Sequence, residues 1–178
     1  MILNERESRQ EYFVNAVRQV LTAVRTAPKA KGFDIIEAAA VTGDDIRVLS
    51  EKTKAIGEEK GMKFMLRDAK NIMSAGAVLL VGTRSQIQGL NCRHCGFLTC
   101  DEKPPQTPCA INTIDVGIAL GSACAAAADL RLDTRLMFSV GLAAQALGWL
   151  GDSQTVFALP ISISSKNPFF DRVTSSPA

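Results

Sequence analysis

Excess charge of either sign is the first thing this sequence lacks. Lysine and arginine number 20 against 18 aspartates and glutamates, a formal net charge of +2. So small an imbalance gives no electrostatic case for nucleic acid or for an acidic membrane surface. The opening residues, Met1 to Glu7, contain no apolar signal core. Apolar residues make up 47% of the chain. No uninterrupted apolar run reaches the roughly 20 residues of a membrane span. Internal repeats and low-complexity tracts are missing as well. These absences leave a cytoplasmic globular protein as the expectation, without a nucleic-acid or membrane partner. The 178 residues suffice for one domain with a real core. Histidine is nearly absent too: His94 is the only one, and no residue stands out as a proton donor. Catalytic residues therefore stay unassigned.

Cysteine is what the chain does have. Five in a cytosolic protein point to metal or redox chemistry rather than a disulfide framework. Four of them, Cys92, Cys95, Cys100 and Cys109, share one segment with gaps of two, four and eight residues. Gly96 can take a backbone conformation closed to other residues. Pro104, Pro105 and Pro108 keep the segment out of helix and central strand. Thiolates brought together repel, so a positive centre belongs between them. A structural zinc usually takes two close pairs of ligands. Here there is one close pair, Cys92 and Cys95, followed by two single cysteines. That pattern fits an iron–sulfur loop, with a 4Fe-4S cluster as the leading reading. It differs from the plant-type two-iron spacing, which puts the four-residue gap first. Zinc, disulfides and free thiols remain the alternatives. His94, between two ligands, could tune a cluster by a hydrogen bond, although an exposed loop histidine is the commoner case. Cys124 falls outside the spacing and reads as a small buried apolar residue.

Ser8 to Glu11 forms a capping-box pattern. Apolar residues then recur at helical spacing from Phe13 to Val24, and Pro28 stops the helix near Ala27. Arg25, Lys29 and Lys31 follow in a short loop. Such cations can hold a phosphate, or simply oppose a helix dipole. Strands are expected at Phe33–Val41, Ala77–Gly82, Leu136–Val140 and Thr155–Ile163, with Leu130–Arg135 as loop. The run at Ala77–Gly82 is of the kind found in a sheet covered on both sides. Pro160 predicts an edge, a bulge or a sheet end. Helices are expected from Ile46 to Gly57 or Gly61, over Leu66–Ser74, after Cys109, and over Leu142–Leu150 with Gly151 as its stop. Phe169 and Phe170 read as exposed aromatics of a tail that a neighbour or partner could order. The whole is one α+β domain over residues 1–178, with residues 91–110 as an inserted loop.

With the cysteine segment in context, the chain resembles the bacterial and archaeal "ferredoxin domain-containing" proteins, long carried as a domain of unknown function. The matching stretches are Ala27 to Gly32, Asn91 to Gly96 with Cys100 and Cys109, Asp115 to Ser122, and Lys166 to Arg172. A more distant resemblance is to the flavin-dependent nitroreductases. In those an early helix ends in an Ala-Pro loop near the flavin, and a Gly-Ile-Ala helix and a basic tail follow. Ala27-Pro28, Gly117-Ile118-Ala119 and Arg172 fall in the same order. Arg6 and Arg9 match the family's N-terminal arginines only loosely, and the family lacks the cysteine loop.

The resemblance implies a nitroreductase-like layered sheet and helices, a homodimer and an FMN site. Arg25, Thr26, Pro28, Lys29, Lys31 and Arg172 would be its flavin contacts. Three functions follow as expectations. The first is an oxidoreductase passing electrons between a 4Fe-4S cluster and a flavin, acting on a small molecule or with a redox partner protein. The second is a cluster-only electron carrier or redox sensor. The third is a zinc-binding structural or interaction module.

Overall fold

The computed structural model describes residues 2–170. Four strands form one antiparallel sheet in the order β1 (Ile36–Val41), β2 (Ala77–Thr83), β4 (Gln154–Ser162), β3 (Asp133–Thr134). Helices cover both faces. The first is α1 (Glu5–Thr26), followed by α2 (Asp44–Glu59), α3 (Lys63–Ile72), α4 (Ala110–Asp129) and α5 (Phe138–Ala146).

β2 explains the layering. All seven of its residues are buried, and alternate side chains point to opposite faces. Ala77, Leu79 and Val81 meet Phe13, Val17, Val20 and Val24 of α1 and Val116, Ala119 and Ala123 of α4. Val78 and Leu80 meet Ile46 and Leu49 of α2, Ile72 of α3 and Val140 and Ala144 of α5. Two cores on one strand account for its unbroken apolar run, as the sequence predicts.

α1 begins a turn earlier than the Ser8 pattern implies. Asn4 is the N-cap: its side chain accepts the Arg6 N–H and donates to Glu7. The Ser8 hydroxyl is turned back onto the Asn4 carbonyl, inside the first turn. β1 begins at Ile36, and Phe33 lies exposed before it.

Leu136–Val140 is not a strand. Only Met137 pairs with the sheet, bridging to Ala158, and α5 starts at Phe138. The small residues Ser139, Gly141, Ala143 and Ala144 bring this helix against β4, and a Cβ on Gly141 would stand 2.0 Å from the Val156 carbonyl oxygen. Ser139 Oγ also donates to the buried Asp68 of α3 at 2.6 Å, which fixes the helix start. The helix stops before Gly148, at φ 70°, rather than at Gly151. Asp133 and Thr134, expected as loop, form β3.

β4 is an inner strand, despite Pro160. Ala158 exchanges both backbone hydrogen bonds with Met137. By the period of two, the nitrogen of Pro160 points to that same side. There the pairing breaks between Met137 and Thr134, so no ladder bond is lost. Phe169 is not an exposed tail aromatic. It is 1% exposed within the α2–α3–α5 core, while Phe170 lies under the Arg135 guanidinium at 4.8 Å. α4 also revises the expectation about apolar runs. Its 20 residues are long and apolar enough to cross a membrane by length and composition. In the fold, one of its faces packs on α1 and the sheet.

Candidate functional site

Beyond β2 the chain leaves the sheet at Arg84 and forms only turns until Cys109, the N-cap of α4. Positive φ values at Asn91, Arg93 and Gly96 wrap this segment tightly. A turn closes from the Gly96 N–H to the Arg93 carbonyl at 2.9 Å. The glycine at 96 is required by its φ of 90°.

Cys92, Cys95, Cys100 and Cys109 are all free and half-buried. All four line one small cavity, together with Ile87, Phe97 and Lys103. Three stretches of loop and the first turn of a helix are thus folded onto one point. Among the described residues no three His, Cys, Asp or Glu side chains are grouped closely enough to hold a metal ion. A zinc at about 2.3 Å from four sulfurs would draw them to within about 4 Å of one another. The four thiols line one cavity without forming such a group. Four soft, partly shielded sulfur donors are a set used both by structural zinc and by iron–sulfur clusters. His94 is exposed. Cys124 lines a different cavity, beside Gly117, Gly121 and Phe157. Burial pushes its thiol pKa up, against a hydrogen bond with Thr134.

The loop is tied down at several points. Gln154 Nε2 donates to Ser85 Oγ at 3.0 Å and to the Pro105 carbonyl at 3.4 Å. Lys103 Nζ donates to the Pro104 and Thr107 carbonyls. Buried Asn112, in the first turn of α4, donates to the Gln86 carbonyl at 2.6 Å and accepts from Gln88 at 3.1 Å.

The basic loop after α1 lies against the same joint. Lys31 Nζ donates to the Gln88 carbonyl at 3.0 Å. The Ala30 N–H is shared between both carboxylate oxygens of Asp115, at 3.1 Å each. Asp115 is 3% exposed. Burial raises its pKa above the ordinary carboxylate value, opposed by the Ala30 amide and Lys29. Arg25 is paired with Asp34 at 2.6 Å and donates to the Ile36 carbonyl. Lys29 donates back to the Val24 and Arg25 carbonyls, capping α1, and burial lowers its pKa. Thr26 Oγ1 donates to the Thr22 carbonyl, and Pro28 is exposed. Arg25 and Thr26 thus end α1, and Pro28, Lys29 and Lys31 follow directly in the loop after it. Arg172 lies outside the described residues. Arg9 is held by Glu5 at 2.6 Å.

Sequence reasoning passed over Gln88 and Asn112 and singled out Asp115 only as part of a motif. The signal available was slight: two polar residues, Asn112 and Asp115, three apart on the buried face of an apolar helix.

Residues 106–172 match a family model described as an uncharacterized protein containing a ferredoxin domain. Of the four loop cysteines, that match includes Cys109. An uncharacterized protein of Archaeoglobus fulgidus is 37% identical over 182 residues, covering 97% of this chain and 98% of its own. The chain belongs to this ferredoxin-domain family. Solved structures share this chain's fold. A nitroreductase, CinD, of Lactococcus lactis in complex with nicotinic acid superposes with a TM-score of 0.62 at 16% identity, over 93% of this chain and 81% of that one. A nitroreductase with bound FMN from Desulfitobacterium hafniense gives 0.60 at 12% identity, over 85% and 78%. The hypothetical oxidoreductase YcnD of Bacillus subtilis gives 0.55 at 22% identity, over 86% of this chain, which spans only 58% of that protein's length. The family member described here thus has a nitroreductase-like layered fold.

Proposed function

We propose that the protein is an iron–sulfur redox protein, a nitroreductase-like oxidoreductase that passes electrons between a 4Fe-4S cluster and a flavin. The observation that carries this reading is the meeting of four cysteines on one cavity, in a chain of nitroreductase fold. Cys92, Cys95, Cys100 and Cys109 would hold the cluster, with residues 91–110 as an inserted loop in a single domain. When bound, the cluster would supply single-electron transfer and FMN would supply two-electron chemistry. The chain's own contribution is placement. Asn112 and Gln88 fix the first part of the cysteine loop, and Lys31 and Asp115 fix the basic loop beside it. Of the basic side chains there, Arg25 and Lys29 are engaged internally. An ammonium has three donors, so Lys31 keeps capacity for a flavin phosphate.

A homodimer across α4 belongs to the same reading. Gly117 and Gly121 lie one turn apart in mid-helix, and a Cβ on either would meet nothing within 4 Å. Glycine there costs about 1 kcal/mol relative to alanine. No contact among the described residues accounts for it, whereas close approach by a second backbone would. Ile114, Ile118, Leu136 and Leu142 add exposed apolar area.

The internal engagement of Arg25 and Lys29 also favours a second reading, a cluster-only carrier or sensor. One experiment separates them: absorption spectra with iron, sulfide, zinc and flavin analysis on protein purified without oxygen. About four irons with bound FMN is the expected result. Iron without flavin selects the carrier, and zinc alone sinks both. Cys92→Ser and Cys100→Ser should each lower iron content by more than about tenfold; a variant that keeps full iron removes that residue from the ligand set.

A further inference from the structure

Asn91 and Cys100 are joined twice. The Asn91 backbone N–H donates to Cys100 Sγ at 3.3 Å, and Asn91 Oδ1 accepts the Cys100 N–H at 2.8 Å. Together these bonds close a ring of loop that contains Cys92 and Cys95. Asn91 is exposed, so no packing demands an asparagine there. Its φ of 48° lies in the left-handed region, which asparagine tolerates better than most residues. Glycine would tolerate it as well, so backbone shape alone does not select asparagine. The side-chain oxygen on the Cys100 amide does.

We propose that Asn91 is a positioning residue for Cys100: it holds that sulfur in the shared cavity and keeps one N–H directed at it. The inference rests on the iron–sulfur reading. An N–H donated to a ligand sulfur stabilises the more negatively charged, reduced state, and so raises the reduction potential. The side chain acts at one remove. By binding the Cys100 amide it holds the two stretches of loop in register, and the Asn91 amide stays on the sulfur.

Two variants separate the clamp from the backbone shape. Asn91→Gly keeps the left-handed conformation and the amide but loses the side-chain acceptor. Asn91→Asp keeps an acceptor oxygen at the same place. The full chain and both variants are loaded anaerobically with iron and sulfide. The rate of iron release to a chelator, the reduction potential and the thermal midpoint are then measured. Asn91→Gly should release iron about tenfold faster, with a lowered potential and an unchanged thermal midpoint. Asn91→Asp should release iron within about twofold of wild type. An Asn91→Gly protein equal to wild type in release and potential overturns the proposal while leaving the iron–sulfur reading intact. Asn91→Asp releasing iron as fast as Asn91→Gly overturns it too. A wild type that takes up no iron overturns both.

Discussion

Asp115 shows how one residue can join a helix to a loop at a cost. Its carboxylate is buried on α4 and accepts the Ala30 amide with both oxygens. Burial raises its pKa, so the folded state keeps the proton to higher pH than the unfolded chain does. Stability from this group is therefore greatest at low pH. It falls as pH rises from about 3.9, the ordinary aspartate value, through the folded pKa. Asp115→Asn removes the titration and keeps one oxygen for Ala30. The unfolding free energy of wild type minus that of Asp115→Asn should decline with rising pH across that window; urea titrations at several pH values check it, and a difference that rises would contradict the assignment. At this scale the sequence was unevenly legible. The four loop cysteines stand out by their spacing, and the fold brings them to one cavity because they lie within one short loop. Gln88 and Asn112 do not, because their partnership spans 24 residues and leaves no local pattern.

Among the elements, α5 departs furthest from its sequence reading. Leu136–Val140 is rich in apolar residues and short, so periodicity alone could not separate strand from helix. What decides is tertiary: Gly141 lets the helix rest on the backbone of β4. Gly141→Ala should destabilise the protein by about 3 kcal/mol or more, because rigid backbone on both sides must move. Chemical denaturation measures this, and a change within about 0.5 kcal/mol would mean that α5 sits farther from β4 than described. β2 was readable for the opposite reason. A strand buried on both faces has only one pattern available to it. Pro160 misled because a missing N–H restricts one side of one residue, not the whole strand.

For the whole molecule, the layered α+β class followed from the alternation of helical and strand patterns, and the cores confirm it. The homodimer proposed across α4 is the part that no single-chain pattern states. If α4 is that surface, Gly117→Leu with Gly121→Leu should give a monomer with an intact fold. Sedimentation velocity reads the mass, and a dimer that survives both substitutions would place the interface elsewhere. One further consequence comes from the order in which the parts are made. β2 gains its second neighbour only with β4, the last strand, and the α2–α3–α5 core gains its largest member only with Phe169. Cys92 to Cys109 are synthesised earlier than either. The cysteine segment thus leaves the ribosome before the sheet that carries it is complete. For this protein, the loop that gathers four thiols is made on an unfinished scaffold.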